Sequence, residues 1–214
     1  MRQTRRRLLA AGVGLAGLGG LAGCLGGGGG SGADGCEITD EPTVSELSPP
    51  VAGSPDAGVT VMAFEDFACP HCRTYQAEVL PAIREEYIDS GRIRYEHHDL
   101  PIPVDEKWSW WVASAARGVQ DTVGDDAFFD FVDRAFERQD DYSLSAIADA
   151  ASAVDAEPCP VQNDAANEVY RPVLETDRSR ASDLGIQGTP GVVVNGRIVE
   201  ASVSGIRSAV ERAL

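Results

Sequence analysis

The chain has 214 residues, which is enough for one well-buried domain, and it carries 34 acidic residues against 18 basic ones. The formal net charge is −16, and the sequence contains no basic patch. This charge excludes nucleic acid as a partner, because binding to a phosphate backbone needs clustered lysine and arginine.

The first 23 residues predict an export signal. Arg5, Arg6 and Arg7 precede an apolar, glycine-rich stretch at residues 8–23, a pattern typical of a twin-arginine signal. Residues 21–24 resemble a lipobox, in which Cys24 would be lipidated and become the new N-terminus. The alternative is an uncleaved N-terminal anchor. Both interpretations place the folded part outside the cytoplasm and tie it to the membrane surface.

Residues 24–48 are predicted to form a flexible tether, because residues 26–35 are almost all glycine and serine. Such a tether suits a protein that reaches many partners from a fixed anchor. The folded domain is predicted to cover residues 49–214.

A pair of cysteines, Cys69 and Cys72, lies between an apolar run at residues 59–64 and a helical pattern at residues 73–88. A cysteine at a helix N-terminus lies near unpaired backbone N–H groups and the positive end of the helix dipole, which lowers its pKa. The spacing lets the second thiol close on the first. The pattern therefore predicts a dithiol that exchanges disulfides with other proteins.

Two other interpretations of this pair fit the sequence less well. A zinc site needs about four ligands, and no second pair of cysteines or histidines stands at a suitable spacing. A purely structural disulfide across so short a loop would constrain the unfolded chain little. His97 and His98 are expected at the exposed end of a strand, because nothing else in the sequence marks them as ligands.

A helix, a strand and a block of helices are predicted after the pair. Pro81 is predicted to kink the helix at residues 73–88, and residues 92–98 form a second strand with Ile93 and Tyr95 on one face. A helical insertion at about residues 104–180 follows, with Asp125 or Asp126 and Ser143 as N-cap candidates. Its helical patterns cover residues 107–119, 126–138, 144–154 and 161–184.

The C-terminal part returns to strands. Residues 192–194 and 197–201 flank Asn195-Gly196, a type I′ turn signal, so a hairpin is predicted, and residues 204–214 form a closing helix. Pro190 precedes this hairpin in Gly188-Thr189-Pro190-Gly191. Its peptide bond would ordinarily be assigned as trans.

Two cysteines, Cys36 and Cys159, remain after the lipidation candidate Cys24 and the exchange pair are assigned. An exported protein folds in an oxidising compartment, where an even remainder suggests a bond. We predict a disulfide that fastens the N-terminal lead to the helical insertion. The alternative is two unpaired thiols.

The motifs together resemble the DsbA-like branch of the thioredoxin superfamily. The stretches that carry the resemblance are Gly53-Ser54-Pro55-Asp56-Ala57, Asp66-Phe67-Ala68-Cys69-Pro70-His71-Cys72, Leu80-Pro81, Gly185-Ile186-Gln187-Gly188-Thr189-Pro190 and Val194-Asn195-Gly196. These stretches span from about Gly53 to the C-terminus, with the helical insertion in the expected place. The chain also resembles exported lipoproteins of haloarchaea, because it is strongly acidic, has Lys107 as its only lysine and carries a lipobox. The alternative is an acidic secreted protein from another source.

The resemblance implies an α/β thioredoxin-like fold, a central mixed sheet flanked by helices, with an inserted helical subdomain. It also implies that Cys69 is the exposed nucleophile and Cys72 the buried resolving cysteine. His71 would stabilise the Cys69 thiolate. Pro70 would lie at the substrate-binding surface, and Thr189 and a cis Pro190 would hold the substrate chain beside Cys69.

The sequence departs from the family pattern at two places. Many members carry a buried glutamate six residues before the first cysteine, where this chain has Ala63, and Glu65 or Asp66 could substitute for it. Thr189 before the proline is shared with disulfide isomerases, whereas the prototype oxidase differs there. The direction of the reaction is therefore left open between oxidase and reductase or isomerase.

The preferred function is introduction of disulfides into exported, cysteine-containing proteins, without a cofactor or a metal. Such a protein would be reoxidised by a membrane partner, which by resemblance is DsbB-like or VKOR-like. A different class of function is the remaining alternative: a metal-binding lipoprotein that uses Cys69 and Cys72, with His71 as a further candidate ligand, for copper or zinc.

Overall fold

The computed structural model describes residues 35–102 and 104–214. The predicted export signal, Cys24 and the glycine-rich part of the predicted tether lie outside the described residues. No helix in these two ranges has the length and apolar character that crossing a membrane requires.

Five strands form one mixed sheet in the order β1-β3-β2-β4-β5, and β2 and β3 are its parallel pair. Their bounds are Val51–Gly53, Thr60–Glu65, Arg94–Asp99, Gly191–Val194 and Arg197–Val199. Strand β2 is buried along nearly its whole length because both faces of the sheet are covered. On one face Val61 and Ala63 join the main core, and on the other Met62 and Phe64 join a smaller core with Ala181.

The helix that follows the cysteine pair, here called the active-site helix, covers residues 70–88 and begins three residues earlier than predicted. It alternates between α-helical turns at Pro70–Thr74 (α1) and Leu80–Ile83 (α2) and π-helical turns at Tyr75–Val79 and Arg84–Ile88. The first π turn ends just before Pro81, which has no N–H to donate, so the wider turn accommodates the missing hydrogen bond. Gly91, with φ of 66°, lies in the left-handed region after the helix ends.

A block of five helices forms the predicted insertion: α3 (Trp108–Thr122), α4 (Asp125–Glu137), α5 (Leu144–Ser152), α6 (Pro158–Ala166) and α7 (Arg171–Leu184). A short 3₁₀ turn, Gln139–Asp141, follows α4. Two predictions for this block were wrong. The single helix at residues 161–184 is divided where Glu168 takes φ of 48°, shortly before Pro172.

The second error concerns the start of α4. Gly124, with φ of 125°, occupies the N-cap position, and Asp125 and Asp126 lie in the first turn instead. There they complement the helix dipole. The other predicted cap is confirmed, since the Ser143 hydroxyl accepts a hydrogen bond from the N–H of Ala146.

The C-terminal elements follow the prediction. Asn195 and Gly196, with φ of 44° and 79°, form the turn between β4 and β5, and α8 covers Val203–Ala213. The Thr189–Pro190 peptide bond is cis. The structure thus has the thioredoxin-like α/β architecture, with the helical block inserted between β3 and β4.

The predicted tether ends too late. Cys36 is buried and bonded to Cys159 of α6, and the N–H groups of Thr39 and Val44 donate to Asn163 and Val169. We call residues 36–48 the N-terminal lead. Because they contact the helical block, they belong to the folded unit and not to a free tether.

Candidate active site

The Cys69–Cys72 pair lies where β2 leads into the active-site helix. Cys69 is the N-cap residue, with extended backbone angles, and Pro70 follows at the first helical position, where its missing N–H costs nothing. Both thiols are unpaired, and Cys69 is 4% exposed whereas Cys72 is 0% exposed. Both residues are therefore buried, and the expectation of an exposed Cys69 was wrong, because its sulfur lies against Thr189.

Hydrogen bonds around Cys69 favour its thiolate. The Cys72 thiol is the largest cause that lowers the pKa of Cys69, to about 5, and it outweighs the opposing effect of burial. Thr189 and the backbone N–H groups of Cys72 and His71 act in the same direction as the Cys72 thiol. Cys69 is therefore ionised at neutral pH, which makes it both a nucleophile and a good leaving group.

Cys72 has the opposite environment. Burial raises its pKa far above the ordinary range, and its hydrogen bond to Cys69 and the charge of Glu65 act in the same direction. Its sulfur accepts a hydrogen bond of 3.4 Å from the N–H of Asp66. Cys72 therefore stays protonated in the reduced protein.

The loop of the cis proline lies against Cys69. The Cys69 Sγ is 3.6 Å from the carbonyl oxygen of Thr189, and both Thr189 and Pro190 are half-buried. Pro70 and His71 are exposed beside them. The structure thus brings together all six residues that the sequence placed at this site, with His71 contributing its backbone N–H to the Cys69 sulfur.

Three side chains that the sequence did not suggest hold the loop before Cys69. The Gln139 side chain donates to the carbonyl oxygens of Phe67 and Cys69, at 2.7 and 2.9 Å, and the Tyr142 hydroxyl donates to Phe67 at 2.9 Å. The third is Ser109, whose hydroxyl acts through the Asp66 carboxylate. No sequence signal marked Gln139 or Tyr142, because only the fold brings the end of α4 to this loop.

The Asp66 carboxylate also holds the loop before Cys69. It accepts hydrogen bonds from the N–H groups of Ala68 and Ile102, both at 2.6 Å, and from the Ser109 hydroxyl at 2.9 Å. Burial raises the pKa of this carboxyl to about 6 despite these hydrogen bonds. Asp66 therefore joins the exchange loop to the segment after β3 and to α3.

Glu65 lies two residues after Ala63 on β2, so the two side chains share one face of the strand. It is 1% exposed, and the amide of Gln76 donates to both of its oxygens at 2.8 and 3.0 Å. Gln76 lies one helical turn after Cys72, so Glu65 lies on the Cys72 side of the sheet.

The prediction for His97 and His98 was wrong. Both are buried, at 0% and 1% exposure, because α7 and the helical segments cover the two faces of β3. They point to opposite faces of the sheet: His97 lies near Glu65 and Asp99, and His98 lies between Glu96 and Asp177. The carboxylates that receive them could not be located from the sequence.

Other predicted site residues lie elsewhere. Cys36 and Cys159 form a disulfide at the junction of the N-terminal lead and α6, and Cys24 lies outside the described residues. Within residues 35–102 and 104–214, no group of three or more His, Cys, Asp and Glu side chains is arranged to hold a metal ion.

Comparison with known proteins points to the same chemistry. The model of the Thioredoxin_4 family, described as thioredoxin, matches residues 45–212. The probable disulfide bond formation protein D of Bacillus cereus is 30% identical over 171 residues, covering 76% of this chain and 77% of the relative. Disulfide bond formation protein D of Bacillus subtilis is 27% identical over 173 residues, covering 77% of each.

A solved structure also matches. The crystal structure of oxidised BdbD from Bacillus subtilis superimposes with a TM-score of 0.71 at 25% identity, covering 81% of this chain and 98% of that chain. The match extends through the inserted helices as well as the sheet, because nearly the whole of that chain is covered.

Proposed function

The chain belongs to the thioredoxin family and is a DsbA-like thiol–disulfide oxidoreductase, and on this premise we propose that it introduces disulfides into exported proteins. The observation that carries the proposal is the contrast between the two sulfurs. Cys69 is held as a thiolate by hydrogen bonds, and Cys72 is held as a buried thiol. Stabilisation of the reduced pair makes its disulfide oxidising.

The reaction starts from the Cys69–Cys72 disulfide. A substrate thiolate attacks the Cys69 sulfur, the Cys69–Cys72 bond breaks, and Cys72 leaves with a proton as the thiol. A second thiolate of the substrate then attacks the substrate sulfur that is bonded to Cys69. Cys69 is displaced as the thiolate. The substrate loses two electrons as its disulfide forms, and the protein gains them. One of the two substrate protons ends on Cys72 and the other goes to solvent.

Substrate binding uses the cis-proline loop. The substrate segment would pair with the backbone at Thr189 and Pro190, and this pairing would place its sulfur beside Cys69. Pro70 and His71 are exposed at the same surface, and the backbone N–H of His71 supports the Cys69 thiolate there.

We further propose that the protein acts outside the cytoplasm, anchored through lipid on Cys24 after twin-arginine export. The predicted signal supports export, and the ordered lead at Cys36 leaves a glycine-rich connection between lipid and domain. A membrane partner of DsbB-like or VKOR-like type would take the electrons. Mass spectrometry of the native N-terminus, with Cys24→Ser as the unlipidated control, tests the anchor; an unmodified Cys24 would contradict it.

The function is tested by mixing the oxidised protein with a reduced, unfolded substrate protein in concentrated potassium chloride. We expect substrate thiols to disappear in proportion to the Cys69–Cys72 disulfide added, whereas Cys69→Ser gives no loss. The reductase alternative predicts the reverse: the reduced protein would reduce insulin disulfides rapidly, and the oxidised protein would leave the reduced substrate unchanged.

A further inference from the structure

The Cys36–Cys159 disulfide needs an oxidant to form, and the chain itself carries one. This bond spans a sequence separation of 123 residues and holds the N-terminal lead on α6. Its formation from two thiols releases two electrons and two protons, and the disulfide of another pair can accept the electrons. In the described part of the chain, Cys69 and Cys72 are the cysteines outside this bond. Each copy of the protein therefore carries both an oxidant and a pair of thiols that require one.

The two cysteines of this bond differ in their surroundings. Cys159 is the second residue of α6, directly after Pro158, and it is exposed. A cysteine at this position lies near backbone N–H groups that have no partner within the helix, and such groups favour a thiolate. Cys36 lies in the N-terminal lead, outside any helix, and is 5% exposed. In the reduced chain Cys159 is therefore a thiol on a fixed helix, whereas Cys36 moves with the lead.

The contacts between the lead and α6 are of a kind that opens locally. The Thr39 N–H donates to the side chain of Asn163 at 2.8 Å, and the Thr39 carbonyl oxygen accepts from the side chain of Asn167 at 2.8 Å. Each such hydrogen bond contributes about 1 kcal/mol. Farther along the lead, the Val44 N–H donates to the carbonyl oxygen of Val169 at 2.8 Å. Before the disulfide forms, the lead can therefore leave α6 up to Thr39 while Val44 keeps it close.

The segment around Cys36 fits the cis-proline loop better than the segment around Cys159 does. Substrate pairing at that loop uses the backbone of an extended segment. Both neighbours of Cys36 have a backbone N–H that can pair. Cys159 lies in a helix between Pro158 and Pro160, which have no N–H to donate. We therefore expect Cys36 to be the sulfur that enters the exchange site.

We propose that a reduced copy of this chain is a substrate of an oxidised copy, with Cys36 as the first sulfur to react. The Cys36 thiolate attacks the Cys69 sulfur of the oxidised copy, the Cys69–Cys72 bond breaks, and Cys72 leaves with a proton as the thiol. The lead of the reduced copy then returns to α6, where the Cys159 thiolate attacks the Cys36 sulfur and displaces Cys69 as the thiolate. Two electrons pass to the exchange pair, and of the two thiol protons one ends on Cys72 and the other in solvent. This inference rests on the proposed function.

The test mixes two full-length variants, each with Cys24→Ser so that Cys24 adds no thiol. The loaded copy is the Cys72→Ser variant with its Cys36–Cys159 bond intact and with thionitrobenzoate joined to Cys69 by a disulfide. The thiol copy is the reduced Cys69→Ser/Cys72→Ser variant, prepared also with either Cys159→Ser or Cys36→Ser. Concentrated potassium chloride is present, because two copies with a net charge of −16 each repel one another at low salt. The readouts are release of thionitrobenzoate and the yield of covalent dimer.

We expect the thiol copy that retains only Cys36 to give at least about tenfold more covalent dimer than the copy that retains only Cys159, because the Cys36 segment can pair with the cis-proline loop. When both cysteines are retained, the dimer should be transient and the Cys36–Cys159 disulfide should accumulate. Mass spectrometry after blocking of free thiols measures both species. Equal yields from the two single-cysteine copies, or a larger yield from the Cys159 copy, would overturn the proposal.

Two synthetic peptides repeat the comparison without requiring that the reduced copy folds. They contain residues 33–40 and residues 155–162, each with one cysteine and a net negative charge. The peptide with Cys36 should release thionitrobenzoate from the loaded copy at least about tenfold faster than the peptide with Cys159. Similar rates for the two peptides contradict the proposed order of attack and overturn the proposal.

The loaded copy reports attack on Cys69 whatever the reduction potential of the exchange pair, so this test and the test of the proposed function fail separately. Oxidation of an unrelated reduced protein, together with no preference for Cys36, would leave the proposed function in place and overturn this inference alone. If the oxidised protein oxidises neither that protein nor the reduced Cys69→Ser/Cys72→Ser copy, both are overturned.

Discussion

The two cysteine pairs of the folded domain differ in their surroundings, although each can form a disulfide. Cys36 and Cys159 are joined across a sequence separation of 123 residues, whereas Cys69 and Cys72 are separated by two residues and unpaired. The first pair lies between the N-terminal lead and α6, away from the helix start and the cis-proline loop. The second is surrounded by donors that favour one thiolate.

The comparison shows that reactivity comes from the surroundings of the sulfur and stability from the length of chain that a bond closes. A bond across a long loop restricts the unfolded chain strongly, so the Cys36–Cys159 bond stabilises the fold. A bond across two residues restricts it little, so Cys69 and Cys72 can open and close without unfolding the domain. The predictions below separate these two roles.

The largest effect is expected from Cys69→Ser. Loss of the nucleophile should reduce disulfide transfer to the background level, a decrease of more than about 10³-fold, because no other thiol contacts the cis-proline loop in the described residues. The matched control is the Cys36→Ser/Cys159→Ser double variant, assayed with the same reduced substrate. The transfer rate of this double variant should be unchanged. A comparable loss of transfer would show that the Cys36–Cys159 bond is also needed for exchange, which contradicts the separation of the two roles.

The same double variant should be the less stable protein. Loop-closure entropy for a bond of this span predicts a loss of about 3–5 kcal/mol in the free energy of unfolding. Thermal or guanidinium unfolding of the oxidised variant measures the loss. A change of less than about 1 kcal/mol would show that the N-terminal lead is held by its other contacts.

The pH dependence of alkylation distinguishes Cys69 from an ordinary cysteine. Its pKa of about 5 lies below the usual value, so the alkylation rate should stay flat from pH 9 to pH 6 and fall to half at about pH 5. At pH 7 the ionised fraction exceeds that of a free cysteine about 30-fold. Mass spectrometry of the alkylated reduced protein gives the rate at each sulfur.

The same experiment on Cys72→Ala tests the cause. Removal of the Cys72 thiol takes away the largest stabilising hydrogen bond, so the midpoint for Cys69 should move toward higher pH. An unchanged midpoint would assign the shift to the backbone N–H groups of the helix start instead.

The smallest effect is expected from Gln139→Ala. The variant loses two hydrogen bonds to the carbonyl oxygens of Phe67 and Cys69, which should cost about 1 kcal/mol of stability and slow disulfide transfer a few-fold. Unfolding midpoints and transfer rates measure both. Gln120→Ala, in which a comparable amide is removed far from the exchange loop, should affect stability alone.

Much of the fold and the exchange pair could be predicted because their signals are local. The apolar run of β2, the Asn195-Gly196 turn and the Cys69-Pro70-His71-Cys72 motif each fit within a few residues. The cis bond at Pro190 required the family resemblance, since isolated X–Pro bonds are mostly trans. The helix break at Glu168 was missed because the apolar pattern continues across it.

The buried charges were missed for a different reason. His97, Asp99, Arg117 and Asp177 come from β3, α3 and α7, and the sequence places each among ordinary surface residues. Only the assembled fold shows that Arg117 joins Asp99 and Asp177, at 2.6 and 2.7 Å. Polar residues that are buried by partners distant in sequence leave no periodic signal.

The most direct test of the account is the reduction potential of the Cys69–Cys72 pair, measured on the full-length protein in concentrated salt by equilibration with glutathione. The stabilised Cys69 thiolate predicts a value near about −120 mV, that of a strong donor of disulfides. A value near about −270 mV, as in thioredoxin, would contradict the oxidase function and make the protein a reductase that needs a source of electrons.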